Sequence, residues 1–180
     1  MPDQEIIISP PRTVMEVFRM LPEGTLAEVI ENTLYLSPTP IKEHQRILLK
    51  LSTQLYLFVT ENDLGEIFCA PFDVFLDENS NAVQPDLLFI SKENNEIIEK
   101  FQTVHGAPDL IIEILSPGNK RHDHVTQKNL CEKFGVKEYW IVDPESKRAI
   151  GYTLQAGAFI SLSEFMGKIK SPLLQHEFLF

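Results

Sequence analysis

The run Leu110-Ile111-Ile112-Glu113-Ile114-Leu115 is apolar on both of its alternating faces. Successive side chains of a strand point to opposite sides of its sheet, so this strand must be covered twice. That is the pattern of the middle of an α/β sheet. Ser116-Pro117-Gly118 ends the run. Its one polar residue sharpens the constraint. A carboxylate at Glu113 inside such a strand must be protonated, paired with a cation or bound to a metal, because an unpaired buried charge is expensive. An ordinary ion pair, or a strand end open to water, is the plainer alternative.

The remainder of the chain predicts a mixed sheet with helices on its faces. Residues 13–20 read as a short helix, and 26–30 with 33–36 as a hairpin about Glu31-Asn32. Residues 41–61 form an amphipathic helix with Ile41, His44, Leu48, Leu51, Leu55 and Phe58 on one stripe. Lys42, Arg46 and Lys50 lie nearly opposite, the pattern of a solvated face. Strands follow at 66–69, 72–76, 85–91 and 110–115. A helix at 123–134 has Asp123 as N-cap and Gly135 as its stop. Strands at 138–142 and 149–154 follow, then another strand and a tail. The fold class is α/β, one domain over 1–180, with residues 1–40 an N-terminal helix and hairpin extension to a core at 41–180.

The 180 residues suffice for one core without staples. The two cysteines, Cys69 and Cys131, show no paired spacing, which favours a reducing, cytoplasmic setting. Met1-Pro2-Asp3-Gln4-Glu5 is acidic and lacks a long apolar run, so no secretory signal is expected. No stretch reaches the roughly 18 apolar residues of a membrane span. The net charge of −10 argues against a protein that wraps nucleic acid nonspecifically. It leaves room for an enzyme with a local patch: residues 116–137 carry five basic residues against two acidic ones. No phosphate-cradling glycine loop, nucleophile elbow or HExxH motif is present.

Two Pro-Asp dipeptides, Pro85-Asp86 and Pro108-Asp109, open apolar strands. Asp109 and Glu113 share a face but lie about 13 Å apart at four residues' separation, too far for one small cation. Asp109 therefore reads as a strand-start residue. Asp86 sits on another strand, and neighbouring strands are about 4.8 Å apart, so Asp86 and Glu113 converge if their strands are adjacent. Such a pair suits Mg²⁺ or Mn²⁺ and phosphoryl chemistry. A cationic partner is then expected. Leu115, two residues after Glu113, cannot serve. Lys128 is the nearest candidate, if Val125 and Cys131 face the sheet and Lys128 leans inward between them; a surface lysine with a buried stem is the alternative. His44 could reach the site or be a satisfied core histidine. Asp73 is either an outer-shell carboxylate or a strand polar residue. Lys120 and Arg121, with His122 and His124, form a loop that could meet phosphates or simply be solvated.

Three segments carry a resemblance: Gln84-Pro85-Asp86-Leu87-Leu88-Phe89, residues 106–117 (GAPDLIIEILSP) and residues 135–144 (GVKEYWIVDP). With Ser37-Pro38, His44-Gln45 and Ala70-Pro71-Phe72-Asp73-Val74, they resemble the Uma family of restriction endonucleases from about Glu28 to the C-terminus. The resemblance implies the restriction-endonuclease-like fold of the PD-(D/E)XK superfamily. Asp86 takes the role of the Asp after Pro, Glu113 the acidic role on the next core strand. The lysine usually two residues on is Leu115 here; the resemblance moves it to the helix, at Lys128.

The expected function is thus a Mg²⁺- or Mn²⁺-dependent endonuclease acting on nucleic acid, DNA first. Asp86 and Glu113 hold the metal, and Lys128 orients water or offsets charge. A homodimer is expected of an enzyme cutting two strands of two-fold symmetric DNA. The apolar tail Phe178-Leu179-Phe180 either seals that interface or closes the core. The rival is a nuclease-fold binding or regulatory module without useful turnover, suggested by the net charge and the lack of an extended basic face.

Overall fold

The computed structural model describes residues 10–98, 103–116 and 121–180, and of residues 121–124 the backbone alone. Among these residues three helices, α1 (Val14–Arg19), α2 (Lys42–Glu61) and α3 (Arg121–Phe134), accompany thirteen strands. The first strands are β1 (Ala27–Ile30), β2 (Thr33–Leu36), β3 (Gly65–Cys69), β4 (Val74–Asp77), β5 (Asn81–Val83) and β6 (Leu87–Ser91). A 3₁₀ turn at Lys92–Ile97 leads to β7 (Val104–His105) and β8 (Leu110–Ile114). The rest are β9 (Glu138–Asp143), β10 (Arg148–Gln155), β11 (Ala158–Met166), β12 (Lys168–Ser171) and β13 (His176–Leu179).

The main sheet has the order β11-β10-β9-β8-β6-β3, with β8 and β9 parallel and the other pairs antiparallel. The doubly apolar strand β8 lies inside it, as its sequence requires, and all five of its residues are buried. Leu110, Ile112 and Ile114 pack with Ile47, Leu51 and Leu55 of α2. Ile111 faces the other way, toward Leu130 and Cys131 of α3 and Val74 and Val83 of the second sheet. Alternation therefore puts Glu113 on that second side.

The second sheet has the order β2-β1-β5-β4-β7. The expected N-terminal hairpin is real: β1 and β2 pair about Glu31 and Asn32, both at positive φ. It is not an appendage, because β1 also pairs with β5 through Val29 and Ala82. Helix α1 closes this sheet's outer side with Met15 and Phe18, and its start carries a capping box between Thr13 and Glu16. Asp77 shapes the turn between β4 and β5 by accepting from the Asn79 and Ser80 N–H groups. The tail closes the core: Phe178 is buried edge-to-face against Phe58, and Gln54 bonds both the N–H and the carbonyl of Leu179. Among the described residues no helix is long and apolar enough to cross a membrane.

Candidate active site

Strands β6 and β8 are neighbours, with Leu87 opposite Ile112. Continuing that register by one residue sets Asp86 beside Glu113 at the end of the sheet. Both line a cavity of about 90 Å³, together with Glu28, His44, Gln84 and Gln127. Asp86 accepts through one oxygen, Oδ2, from the Ile114 N–H at 2.7 Å, and the same oxygen lies 3.0 Å from His44 Nε2. The C-terminal end of β8 and the first turn of α2 thus fix its carboxylate between them. His44, 2% exposed, reaches the cavity from the inward stripe of α2, and its Nδ1 has no partner among the described residues.

Glu113 is 7% exposed and accepts from Gln127 Nε2 at 2.7 Å. Burial raises its proton affinity well above the ordinary carboxylate range, and the nearby charges of Asp86 and Glu28 push the same way. The Asp86 N–H and the Gln127 amide oppose this without overcoming it. Behind Glu113, burial raises the Cys131 thiol and the Tyr139 phenol, with Glu113 the leading charge in both cases. The site has the electrostatics of three converging carboxylates.

Two of these residues escaped the sequence. Glu28 sits on β1, inside a hairpin that reads as a surface element, yet its Oε1 accepts from the Gln84 N–H at 2.9 Å and lies 3.3 Å from Gln127 Nε2. Only the pairing of β1 with β5 carries it to the cavity. Gln127 is uncharged and so gave no signal.

Lys128 does not line the cavity. Val125, taken as inward-facing, is 50% exposed, whereas Gln127, Leu130 and Cys131 are buried. Helix α3 is thus rotated from the expected phase, and the roughly 100° step from residue 127 swings Lys128 aside. Its ammonium sits over the rings of Tyr152, 4.9 Å from the centroid, and Phe159, at 5.8 Å. The expected convergence of Asp86, Glu113 and Lys128 is corrected to Asp86, Glu113, Glu28 and Gln127. No Lys or Arg among the described residues lines the cavity.

Asp73 stands one hydrogen bond behind, accepting from Gln84 Nε2 at 2.7 Å. Asp109 lies at the far end of β8, where it accepts from the Ser91 N–H and pairs with Lys137. Burial raises its proton affinity, but Lys137, Ser91 and Asn94 outweigh burial and hold it below the usual range. Lys120 lies outside the described residues, and of Arg121 only the helical backbone is described.

Residues 14–177 match the protein family Uma2, described as "Putative restriction endonuclease". The chain belongs to the Uma2 family. This Uma2 chain is also similar in fold to a solved structure, the crystal structure of a "putative nuclease belonging to DUF820" from Anabaena variabilis ATCC 29413. The TM-score is 0.74 at 20% identity, covering 92% of each chain. No curated protein matches it.

The donor set of this Uma2 member decides what ion it could take. Among the described residues no three His, Cys, Asp or Glu side chains form a metal-holding group. The described residues therefore build no all-protein cage. Mg²⁺ needs less: it keeps waters and is commonly held by one or two carboxylates plus substrate phosphate oxygens. Asp86 and Glu113, set side by side on adjacent strands and lining one cavity, fit that requirement. The raised proton affinity of Glu113 marks the same place as short of positive charge.

Proposed function

We propose that this chain is a divalent-metal-dependent endonuclease that hydrolyses phosphodiester bonds of nucleic acid, DNA first. The observation that supports it best is the meeting of Asp86 and Glu113 in one cavity. Asp86 and Glu113 would hold Mg²⁺ or Mn²⁺, which when bound supplies Lewis acidity toward the phosphodiester. His44 and the Ile114 N–H orient Asp86 through its Oδ2. Gln127 orients Glu113, and Glu28 sets the direction of Gln127. Asp73 is an outer support through Gln84.

A second reading is favoured by the net charge of −10: a nuclease-fold module that binds without useful turnover. The test is Mn²⁺-dependent cleavage of plasmid and single-stranded DNA by the wild type, Asp86→Ala and Glu113→Gln. The nuclease reading expects cleavage by the wild type alone. Equal activity in all three, or none in the wild type with Mg²⁺ or Mn²⁺, contradicts it.

The proposal includes a cytoplasmic homodimer. Its edge is β11, a nine-residue outer strand of the main sheet whose only charged residue is Glu164. Apart from the Phe159 N–H, which donates to Glu132, the edge carries neither Lys nor Pro as a gatekeeper against pairing with another strand.

A further inference from the structure

A second cavity, of about 820 Å³, opens beside the first, and Gln84 lines both. Its size falls within the range of small-molecule sites. We infer that this second cavity receives an unpaired nucleobase bearing an exocyclic amino group, next to the phosphate held at the carboxylates. The inference rests on the nuclease reading and adds to it what the site recognises.

The partition between the cavities is rigid. Gln84 Nε2 donates to the Asp73 carboxylate and the Thr25 carbonyl. Its Oε1 accepts from the Ala27 N–H, and its own N–H donates to Glu28. A nucleotide whose phosphate meets Asp86 would have this wall between its backbone and its base. The lining then selects the ligand class. The carboxylates of Glu23, Asp73 and Glu78 line the second cavity, the last of them offset by Arg19 of the same wall. Arg19 forms an ion pair with Glu78, and His105 Nδ1 lies within hydrogen-bond distance of the same carboxylate. A phosphate is repelled there, whereas amino donors of adenine, cytosine or guanine find carboxylate acceptors; thymine has only a ring imide N–H. Phe72 also lines this cavity. One face of its ring is stacked on Phe68, with centroids 4.5 Å apart and planes within 2°, and Phe68 does not line the cavity. A base placed on Phe72 extends a stack already built, as single-strand binders do. A base can enter only if it is unpaired, so the substrate is single-stranded or locally opened nucleic acid.

The experiment measures binding of the full chain to single-stranded deoxyoligonucleotides in Ca²⁺. Pentamers carry a central dA, dC, dT or abasic site, and affinity is read by fluorescence anisotropy. The wild type should bind the dA and dC pentamers about tenfold more tightly than the dT and abasic ones, the size of one base-edge contact. Asp73→Asn should remove the dA-to-dT ratio, because an amide can also donate. Glu23→Gln, on the exposed rim, should reduce it. Phe72→Leu should weaken every base-bearing pentamer while leaving the abasic one unchanged. Equal wild-type affinities across the four overturn the inference, as does a ratio unmoved in both acidic-site variants. If DNA is cut in Mn²⁺ without base preference, the base pocket falls and the nuclease stands. If no oligonucleotide binds and none is cut, both fall.

Discussion

Glu113 holds its carboxyl group in the protein interior against the charges of Asp86 and Glu28. The consequence is a stability that depends on pH. The native protein binds the Glu113 proton more tightly than the unfolded chain does. The folded state is therefore favoured most at pH below the ordinary carboxylate range, and this advantage is lost as pH rises through the elevated native value. Glu113→Gln removes the charge and keeps a group that can meet Gln127. It should be more stable than the wild type at pH 8 by roughly 0.5–2 kcal/mol, as is common when a strained functional group is relieved. The gap should narrow toward pH 5. Urea unfolding at the two pH values reads it, and a Glu113→Gln protein less stable at pH 8 than at pH 5 relative to the wild type contradicts this electrostatic picture.

At the level of elements, helix α3 decides which side chain reaches the carboxylates. Gln127 and Cys131 turn inward one helical turn apart, and Lys128 lies along the flank over Tyr152 and Phe159. Lys128→Ala should leave cleavage at the wild-type level and cost about 0.5–1 kcal/mol of stability from the lost cation–π contact. Gln127→Ala should impair cleavage. The reverse pattern in the DNA assay would restore the lysine to the site. The sequence carried the phase of α3 poorly: of its apolar residues Leu130 and Cys131 are buried and Phe134 packs against the core, whereas Val125, taken as inward-facing, is exposed. A polar Gln127 takes the buried place because Glu113 and Glu28 supply acceptors, which hydrophobic periodicity does not weigh. The meeting of Asp86 and Glu113, by contrast, was legible as a condition: the Pro-Asp openings and the doubly apolar β8 place each on its strand, and the β6–β8 pairing meets the condition. Glu28 was hidden for a different reason: its relevance depends on the long-range pairing of Val29 with Ala82. The last two strands were equally obscure, their short alternation being settled by Phe178 packing on Phe58 and by Gln54 on Leu179.

For the whole molecule, a net charge of −10 means that long-range attraction to nucleic acid is weak, and recognition must come from close contact at the cavities. It also leaves the β11 edge, with its lone Glu164, among the places where two copies would repel least. Sedimentation should show a dimer in the wild type and a monomer for Ile160→Lys, whose side chain is exposed on that strand; a monomeric wild type, or a dimer unmoved by the substitution, removes β11 as an interface. The central claim, that Asp86 and Glu113 together hold a divalent ion, is tested most directly by calorimetric titration of the full chain with Mn²⁺. The account predicts binding in the millimolar range or tighter that vanishes in Asp86→Asn and in Glu113→Gln, and heats indistinguishable from buffer in the wild type, or binding retained by both variants, would contradict it.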